Sequence, residues 1–460
     1  MARERQLVSN TESGLLLLEF NRGQPHTLET LTMKSALIFL LAFPVLAQKT
    51  PDMDRINRAF QNQILTQGTA TLKTDDRISM YDTLVKTVPE DLHYQNLLAG
   101  AYIQKVRESM DYSYLDRAAQ VLSNVLSHDS RNYEAARLRT EIALERHEFK
   151  LAAEYSLALT EWAANDSWNW GTLGDAYIEM GDYDKAADAW QKMVNLHPDL
   201  ASYNRAAYFR FINNDVDNAV KIMQLAINSG SAMAENTAWC EVELGKMYMK
   251  TGKVADAEKA FRGALRYFPS YHTALAGVAQ ARAAQNDWKG AIENMRLAQQ
   301  STPFPDYAAA LYDYYTAAGH TADAQIQKET IEIIDRLGQA GKEKANRNLA
   351  MIYADHDWNV ARALELAQNE LEVRRDIYTY DALAWALYKN RRYQEAGEAM
   401  QKALRFQTPE PMFFYHAGLI DNALGKKDEA REMLKKALAL NPNFDARQAS
   451  IAGKALKDLS

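Results

Sequence analysis

The side chains best suited by type to nucleophilic, acid–base or metal chemistry are nine histidines and one cysteine, Cys240. They are scattered along the chain. His147-Glu148 and Asp355-His356 come nearest to an acid–base pairing. Both fall where turns between helices are expected, and there Asp or His caps a helix more readily than it moves a proton, because a general base needs partners converging in a pocket. Cys240 stands beside Trp239 with no basic neighbour to lower its pKa, so it reads as a buried, inert thiol. G-x-S-x-G, H-E-x-x-H and G-x-x-x-x-G-K-[ST] are all missing, and the Gly418 to Lys426 stretch has the wrong spacing for the last of these. The sequence therefore points to no catalytic residue, no metal ligand set and no cofactor.

Composition narrows the classes further. The 20 glycines and 11 prolines in 460 residues fall well below average usage of about 7 % and 5 %, which disfavours turn-rich β folds and low-complexity chains. Helix is expected. A net charge of −7 lacks the basic excess that neutralising phosphates requires, so nucleic acid is not an expected partner. A lone cysteine excludes an internal disulfide framework.

Near the start, Met33 to Thr50 reads MKSALIFLLAFPVLAQKT: one lysine, an apolar run from Ala36 to Leu46, then small residues before Gln48. These are the three parts of a secretory signal peptide cleaved after Ala47. The run is shorter than the roughly 20 apolar residues that span a bilayer, so no stable membrane insertion is expected after cleavage. Residues 1–32 have no clear periodicity, and a true start at Met33 is the simpler reading. Periplasmic or secreted location is the expectation, and Gln48 in place of a cysteine disfavours a lipid anchor.

Self-similarity organises the rest. From Ser167, the residues Trp170, Leu173-Gly174, Tyr177, Ala186, Trp190 and Pro198 occupy positions 4, 7, 8, 11, 20, 24 and 32 of a 34-residue frame. Leu244-Gly245, Tyr248, Ala257, Phe261, Ala264 and Pro269 fall in the same frame, as do Gly418, Ala430, Leu434, Ala437 and Pro442. Between them, Ala118, Ala152, Ala186, Ala219, Ala257, Ala291, Ala324, Ala363, Ala396 and Ala430 follow at steps of 33 to 39 residues. This pattern resembles the tetratricopeptide repeat (TPR) family. What the resemblance implies is an all-α, right-handed α-solenoid of about ten helix-turn-helix units over 93–444, after an N-terminal helical cap at 48–92 and before a capping helix at 445–460.

Elementary packing explains the residue types. Small residues at positions 8 and 20 let the two helices of a unit approach, and the large residue at 24 fills the space beside them. Proline near 32 stops the second helix. The two long steps, around Asn228 to Asn236 and Arg336 to Lys344, predict longer loops or extended helices that would divide the superhelix into three blocks.

The resemblance also implies a concave groove lined by the first helices. Its positions 5 and 9 carry no set of basic residues of the kind that clamps a carboxylate. They predict an acidic early lining, with Glu134, Glu141, Glu145, Asp175 and Glu179, and an aromatic one, with Trp168, Tyr208, Phe211, Trp239, Trp385, Tyr388 and Tyr415. Those aromatics are the residue types that anchor interfaces. They also suit packing between neighbouring helices. Tyr380 to Ala430 further resembles a block recurring in exported bacterial proteins of this family. The functional expectation is a non-catalytic protein-binding scaffold of the periplasm or cell exterior, engaging protein or peptide ligands and an envelope complex; the alternative is an accessory subunit binding polysaccharide during export. Oligomeric state is not set by the sequence.

Overall fold

In a computed structural model, residues 72–231, 235–340 and 345–459 are described. Residues 1–32, the signal segment 33–47 and the first part of the expected cap lie outside them. The chain divides into two compact units, Met1–Leu97 and Leu98–Ser460. In the first, α1 (Thr74–Thr87) is a complete helix, with Asp75 and Asp76 in its first turn and Lys86 in its last, as the helix dipole favours.

From α2 onward the described chain is a succession of helix pairs, with no strand among the described residues. They are α2 (Leu92–Ser109) with α3 (Ser113–His128), α4 (Tyr133–Glu145) with α5 (Phe149–Trp162), α6 (Ser167–Glu179) with α7 (Tyr183–Leu196), and α8 (Leu200–Ile212) with α9 (Val216–Ser229). The next are α10 (Glu235–Lys250) with α11 (Val254–Tyr267), α12 (His272–Ala284) with α13 (Trp288–Ser301), and α14 (Pro305–Ala317) with α15 (Thr321–Ala340). The last are α16 (Arg347–Asp355) with α17 (Val360–Val373), α18 (Ile377–Lys389) with α19 (Tyr393–Ala403), α20 (Pro411–Ala423) with α21 (Lys427–Leu440), and the closing helix α22 (Gln448–Asp458). First helices mostly run 13 residues and second helices 14, but α15 has 20.

The alanine series marks the crossings. All ten are buried, nine of them completely. At the partner position a side chain has no room: a Cβ on Gly174 would lie 2.3 Å from the Trp190 ring, and one on Gly245 would lie 2.4 Å from Phe261. Each inter-helix turn within a pair places one residue at positive φ, in order Met110, His147, Gly181, Asn214, Gly252, Asn286, Gly319, Asp357, Arg391 and Gly425. Aspartate or asparagine caps hold many helix starts; Asp199 and Ser202 form a reciprocal capping box on α8.

Of the two long steps, one appears as extra turns on α15 and the other as a 16-residue first helix, α10. The expected three blocks do not form. Residues from Leu98 onward make one compact unit, because the superhelix closes on itself.

Three rungs make that closure. Between pairs three and nine, the Arg375 N–H donates to the Glu179 carbonyl at 2.8 Å and the Ile377 N–H donates to the Tyr183 hydroxyl oxygen at 2.8 Å. Between pairs four and ten, the Thr408 hydroxyl donates to the Ile212 carbonyl at 2.6 Å. Between pair five and the approach to α22, Asn441 Nδ2 donates to the Met249 carbonyl at 2.7 Å. Each rung joins an inter-helix turn to a helix approach six pairs later. Gly181 and Gly252 are required at the outer two: both have positive φ, and a Cβ there would meet the Arg375 or Leu440 carbonyl oxygen at 2.5 or 2.6 Å.

Candidate functional site

The first helices do face inward, but the space they enclose is bridged by charged pairs. Arg107 on α2 reaches Glu235 on α10 at 3.1 Å, and the Tyr271 hydroxyl donates to the same carboxylate at 2.7 Å. Arg347 on α16 donates to both oxygens of Asp376, at 3.1 and 2.9 Å. Lys250 pairs with Glu410 at 2.7 Å and donates to the Tyr378 hydroxyl at 3.2 Å. Arg107–Glu235 joins pairs one and five and Lys250–Glu410 joins pairs five and ten, so these two are cross-braces, whereas Arg347–Asp376 and Tyr271–Glu235 tie neighbouring pairs.

The five expected acidic residues, Glu134, Glu141, Glu145, Asp175 and Glu179, are all half-buried. Burial pushes the carboxyls of Glu141 and Glu145 above the usual range, opposed by Arg107. Glu179, 3.3 Å from Arg374 at the first rung, is pushed up to about 7, chiefly by burial and then against the pull of Arg374. Asp376 goes the other way: despite burial, Arg347 and the hydrogen bonds from Thr379 hold it below the usual range. Asp175 is fully engaged, accepting from Arg205 Nε at 2.7 Å, Arg205 Nη2 at 2.5 Å and Trp190 Nε1 at 3.1 Å.

The aromatic residues divide into two sets. Phe211, Trp385 and Tyr415 are core, not groove anchors, with exposures of 3 %, 0 % and 1 %. Trp385 stacks on Tyr388 at 4.9 Å and on the His416 ring at 4.2 Å, and its indole N–H donates to Asp355. Tyr415 donates to Gln448 on the closing helix at 2.6 Å. Stacking the first helices side by side buries this position, the packing alternative open to them from the start. Trp168, Tyr208, Trp239 and Tyr388 are half-buried. Arg137 lies over the Trp168 ring at 4.6 Å, Tyr208 meets Trp190 edge-on at 6.4 Å, and Trp239 packs beside the core residues around Cys240 and Val242.

The histidine pairings are structural. His147 takes the positive-φ turn position and stacks on Phe149 at 5.6 Å; burial and the nearby Arg374 push its pKa down to about 4. His356 bonds Asp313 at 3.2 Å, while Asp355, pushed up to about 6 by burial, receives Trp385. The Cys240 thiol is pushed up to about 12 by burial, which keeps it protonated and unreactive. Beside the third rung is a cavity of about 200 Å³ bordered by Lys250, Asp313, Tyr314, Glu410, Asn441 and Asp445. Its one lysine is held by Glu410. Among the described residues no cluster of three or more His, Cys, Asp or Glu side chains could hold a metal, and no helix is long and apolar enough to cross a membrane.

Sequence reasoning missed the rungs. Their partners stand six units apart, outside any frame of one repeat, and only the positive-φ glycines Gly181 and Gly252 leave a trace. It also missed where the remaining apolar surface lies. Eight of the large hydrophobic side chains exposed among the described residues sit on second helices, from Leu157 and Trp162 on α5 to Leu337 on α15, and none on a first helix of a pair.

Tetratricopeptide repeat models match residues 168–200, 242–308 and 413–444. Together with the helix pairs, the buried alanine series and the inter-helix turns, they define the class: this chain is a tetratricopeptide repeat protein. It is 24 % identical over 242 residues to cellulose synthase operon protein C of Pseudomonas fluorescens (strain SBW25), covering 49 % of this chain and 19 % of that protein. It is 27 % identical over 235 residues to DnaJ protein P58IPK homolog B of Oryza sativa subsp. japonica, covering 47 % of this chain and 48 % of that one. The chain thus spans less than half the length of either relative. Among solved structures it is similar to the APC/C hetero-tetramer Cut9-Hcn1 (15 % identity, 88 % of each chain, TM-score 0.40) and to yeast Tom70 (13 % identity, 88 % of this chain and 95 % of that one, TM-score 0.37).

Proposed function

We propose that this protein is a non-catalytic scaffold that holds protein or peptide segments in the bacterial periplasm or at the cell exterior, as part of an envelope complex. The observation that carries the binding role is the run of ten helix pairs among the described residues between Leu92 and Leu440, an architecture whose output is extended surface. Export rests on the Met33 to Ala47 segment of the sequence. Within the braced interior, the half-buried Trp168, Tyr208, Trp239 and Tyr388 are the candidate aromatics left to meet a ligand, the first three being the ones without a buried tryptophan stacked on them. The Arg107–Glu235 and Lys250–Glu410 braces cross the interior, and the occupant proposed for it is a single extended segment, the slimmest form a peptide takes.

Affinity purification from the envelope fraction, with bound proteins identified, tests the reading. Specific protein partners that are lost with the triple variant Trp168→Ala/Tyr208→Ala/Trp239→Ala, with helicity intact, support it. Unchanged capture removes the interior from the proposal. Amino-terminal sequencing should find Gln48 first in a periplasmic fraction; an intact leader in cytosol overturns the location. The likeness to cellulose synthase operon protein C favours a second reading, support of polysaccharide export, which glycan-array binding without any protein partner would establish in place of the first.

A further inference from the structure

The second helix of the seventh pair, α15, is the longest of the second helices described, six residues longer than most of them, and its outer face is apolar. Ile326, Ile333 and Leu337 are 56 %, 47 % and 66 % exposed, including the two highest values among the large hydrophobic residues described. With Thr330 they stand at i, i+4, i+7 and i+11, which is one stripe along a helix. Opposite it, Ala324, Ile331 and Asp335 face the protein's own core and are buried. Ala322 and Ala340, both exposed, extend the stripe at each end with side chains small enough for another backbone to come close.

The stripe reads almost the same in both directions. Reversed about its midpoint, Ile326 falls against Leu337 and Thr330 against Ile333, while Ala322 and Ala340 come within one residue of facing each other. Charge follows the same symmetry. Glu329 and Arg336 lie on one flank, two turns apart; Arg336 makes no hydrogen bond or ion pair among the described residues, and Glu329 accepts only from Gln325, at 3.0 Å. In an antiparallel pair of identical helices, Glu329 of each copy comes within two residues, about 3 Å along the axis, of Arg336 of the other, twice, a gap these long side chains span. The opposite flank, with Gln327 and the half-buried Ile334, carries no like-charge conflict. Leu297 on neighbouring α13 is also exposed, and Gln299 to Gln327 at 2.8 Å ties that helix to α15, so the apolar surface continues sideways.

We propose that α15 is a self-association surface, pairing antiparallel with α15 of a second copy about a two-fold axis between Ile331 and Glu332. A 20-residue helix gives a seam of about 30 Å. That is the low end of interface sizes, below about 1,200 Å² of total buried surface, so a reversible dimer in the micromolar range is expected.

Sedimentation velocity on the mature chain from about 1 to 200 µM tests this. The expected result is a concentration-dependent shift from monomer to dimer. Leu337→Glu should weaken association at least tenfold with unchanged helicity, since the side chain is exposed. Glu329→Arg and Arg336→Glu should each weaken it severalfold, and the double exchange should return it to within about threefold of the parent. That recovery separates a facing pair from a general charge effect. A chain that stays monomeric throughout, a dimer indifferent to Leu337→Glu, or single charge variants without recovery in the double exchange would each overturn the proposal. So would a monomeric chain that uses the stripe to bind a different protein.

Discussion

The inner and outer faces of this superhelix are built from alternate helices of the same repeat, yet they are opposite in character. First helices turn inward and carry paired charge, braced across the interior by Arg107 to Glu235 and Lys250 to Glu410 and between neighbouring pairs by Arg205 to Asp175 and Arg347 to Asp376. Second helices turn outward and carry isolated leucines, with one concentrated stripe on α15. The difference teaches that repeat periodicity sets which face a residue occupies, whereas winding sets whether that face is available. A repeat unit taken alone would offer its inner face to a ligand. Wound until pair three meets pair nine, the same face becomes a polar interior.

The largest test of the contrast is truncation of the large residue at the helix crossing. Trp190→Ala or Phe261→Ala should cost about 3 to 5 kcal/mol by denaturant unfolding, because each ring fills the space against which a glycine has been fitted. A loss under 1 kcal/mol would mean the crossings are not the core. Next come the rungs. Gly252→Val forces a branched side chain into positive φ and against the Leu440 carbonyl, and a loss of roughly 1 to 3 kcal/mol is expected. The same change at Gly425, where φ is also positive but a Cβ would meet nothing, isolates the backbone part. Equal losses at both glycines would show that closure adds nothing.

A smaller effect should appear with pH. Glu179 holds its proton up to about pH 7 when folded and only to about 4.5 when unfolded, so its contribution is present below pH 4.5 and lost as pH rises through 7. His356, raised by its bond to Asp313 against the opposing effect of burial, has the same sign. His147 and His272, both held near 4 mainly by burial, act oppositely below pH 6.5. Between pH 6.5 and 8 the thermal midpoint should therefore fall, and Glu179→Gln should flatten the slope. A midpoint that climbs over this window would contradict the assignment. Smallest of all, Leu196→Ser or Leu225→Ser on the outer face should change stability by no more than about 0.5 kcal/mol.

Much of the fold was legible because its rules are local. Ala118 through Ala430 mark every crossing, Gly174 and Trp190 explain one another within a single unit, and Pro198, Pro269 and Pro442 stand just past the ends of α7, α11 and α21. Turn chemistry was only half visible: Gly181, Gly252, Gly319 and Gly425 announce their left-handed turns, but Met110, His147 and Arg391 hold the same conformation without any such sign. The interior was misjudged for a physical reason. Phe211, Trp385 and Tyr415 occupy positions assigned to the groove, but whether such a position faces open space depends on the tilt between successive units, which no single unit encodes. The same is true of Thr408 and Ile212, whose hydrogen bond joins residues that share no local pattern.

The rungs change how this array should gain and lose order. In an open solenoid each repeat touches only its neighbours, so an end can fray one unit at a time. Here the start of pair nine is bonded to the turn of pair three, and the approach to the closing helix is bonded to pair five. Peeling the carboxy-terminal end away therefore uncouples the middle of the chain as well, which converts a linear zipper into a cooperative ring. It also makes the register countable: a whole repeat inserted or deleted between pairs five and nine would misalign all three rungs at once, so the number of repeats in that interval is fixed by geometry and not free to drift as it is in an open array.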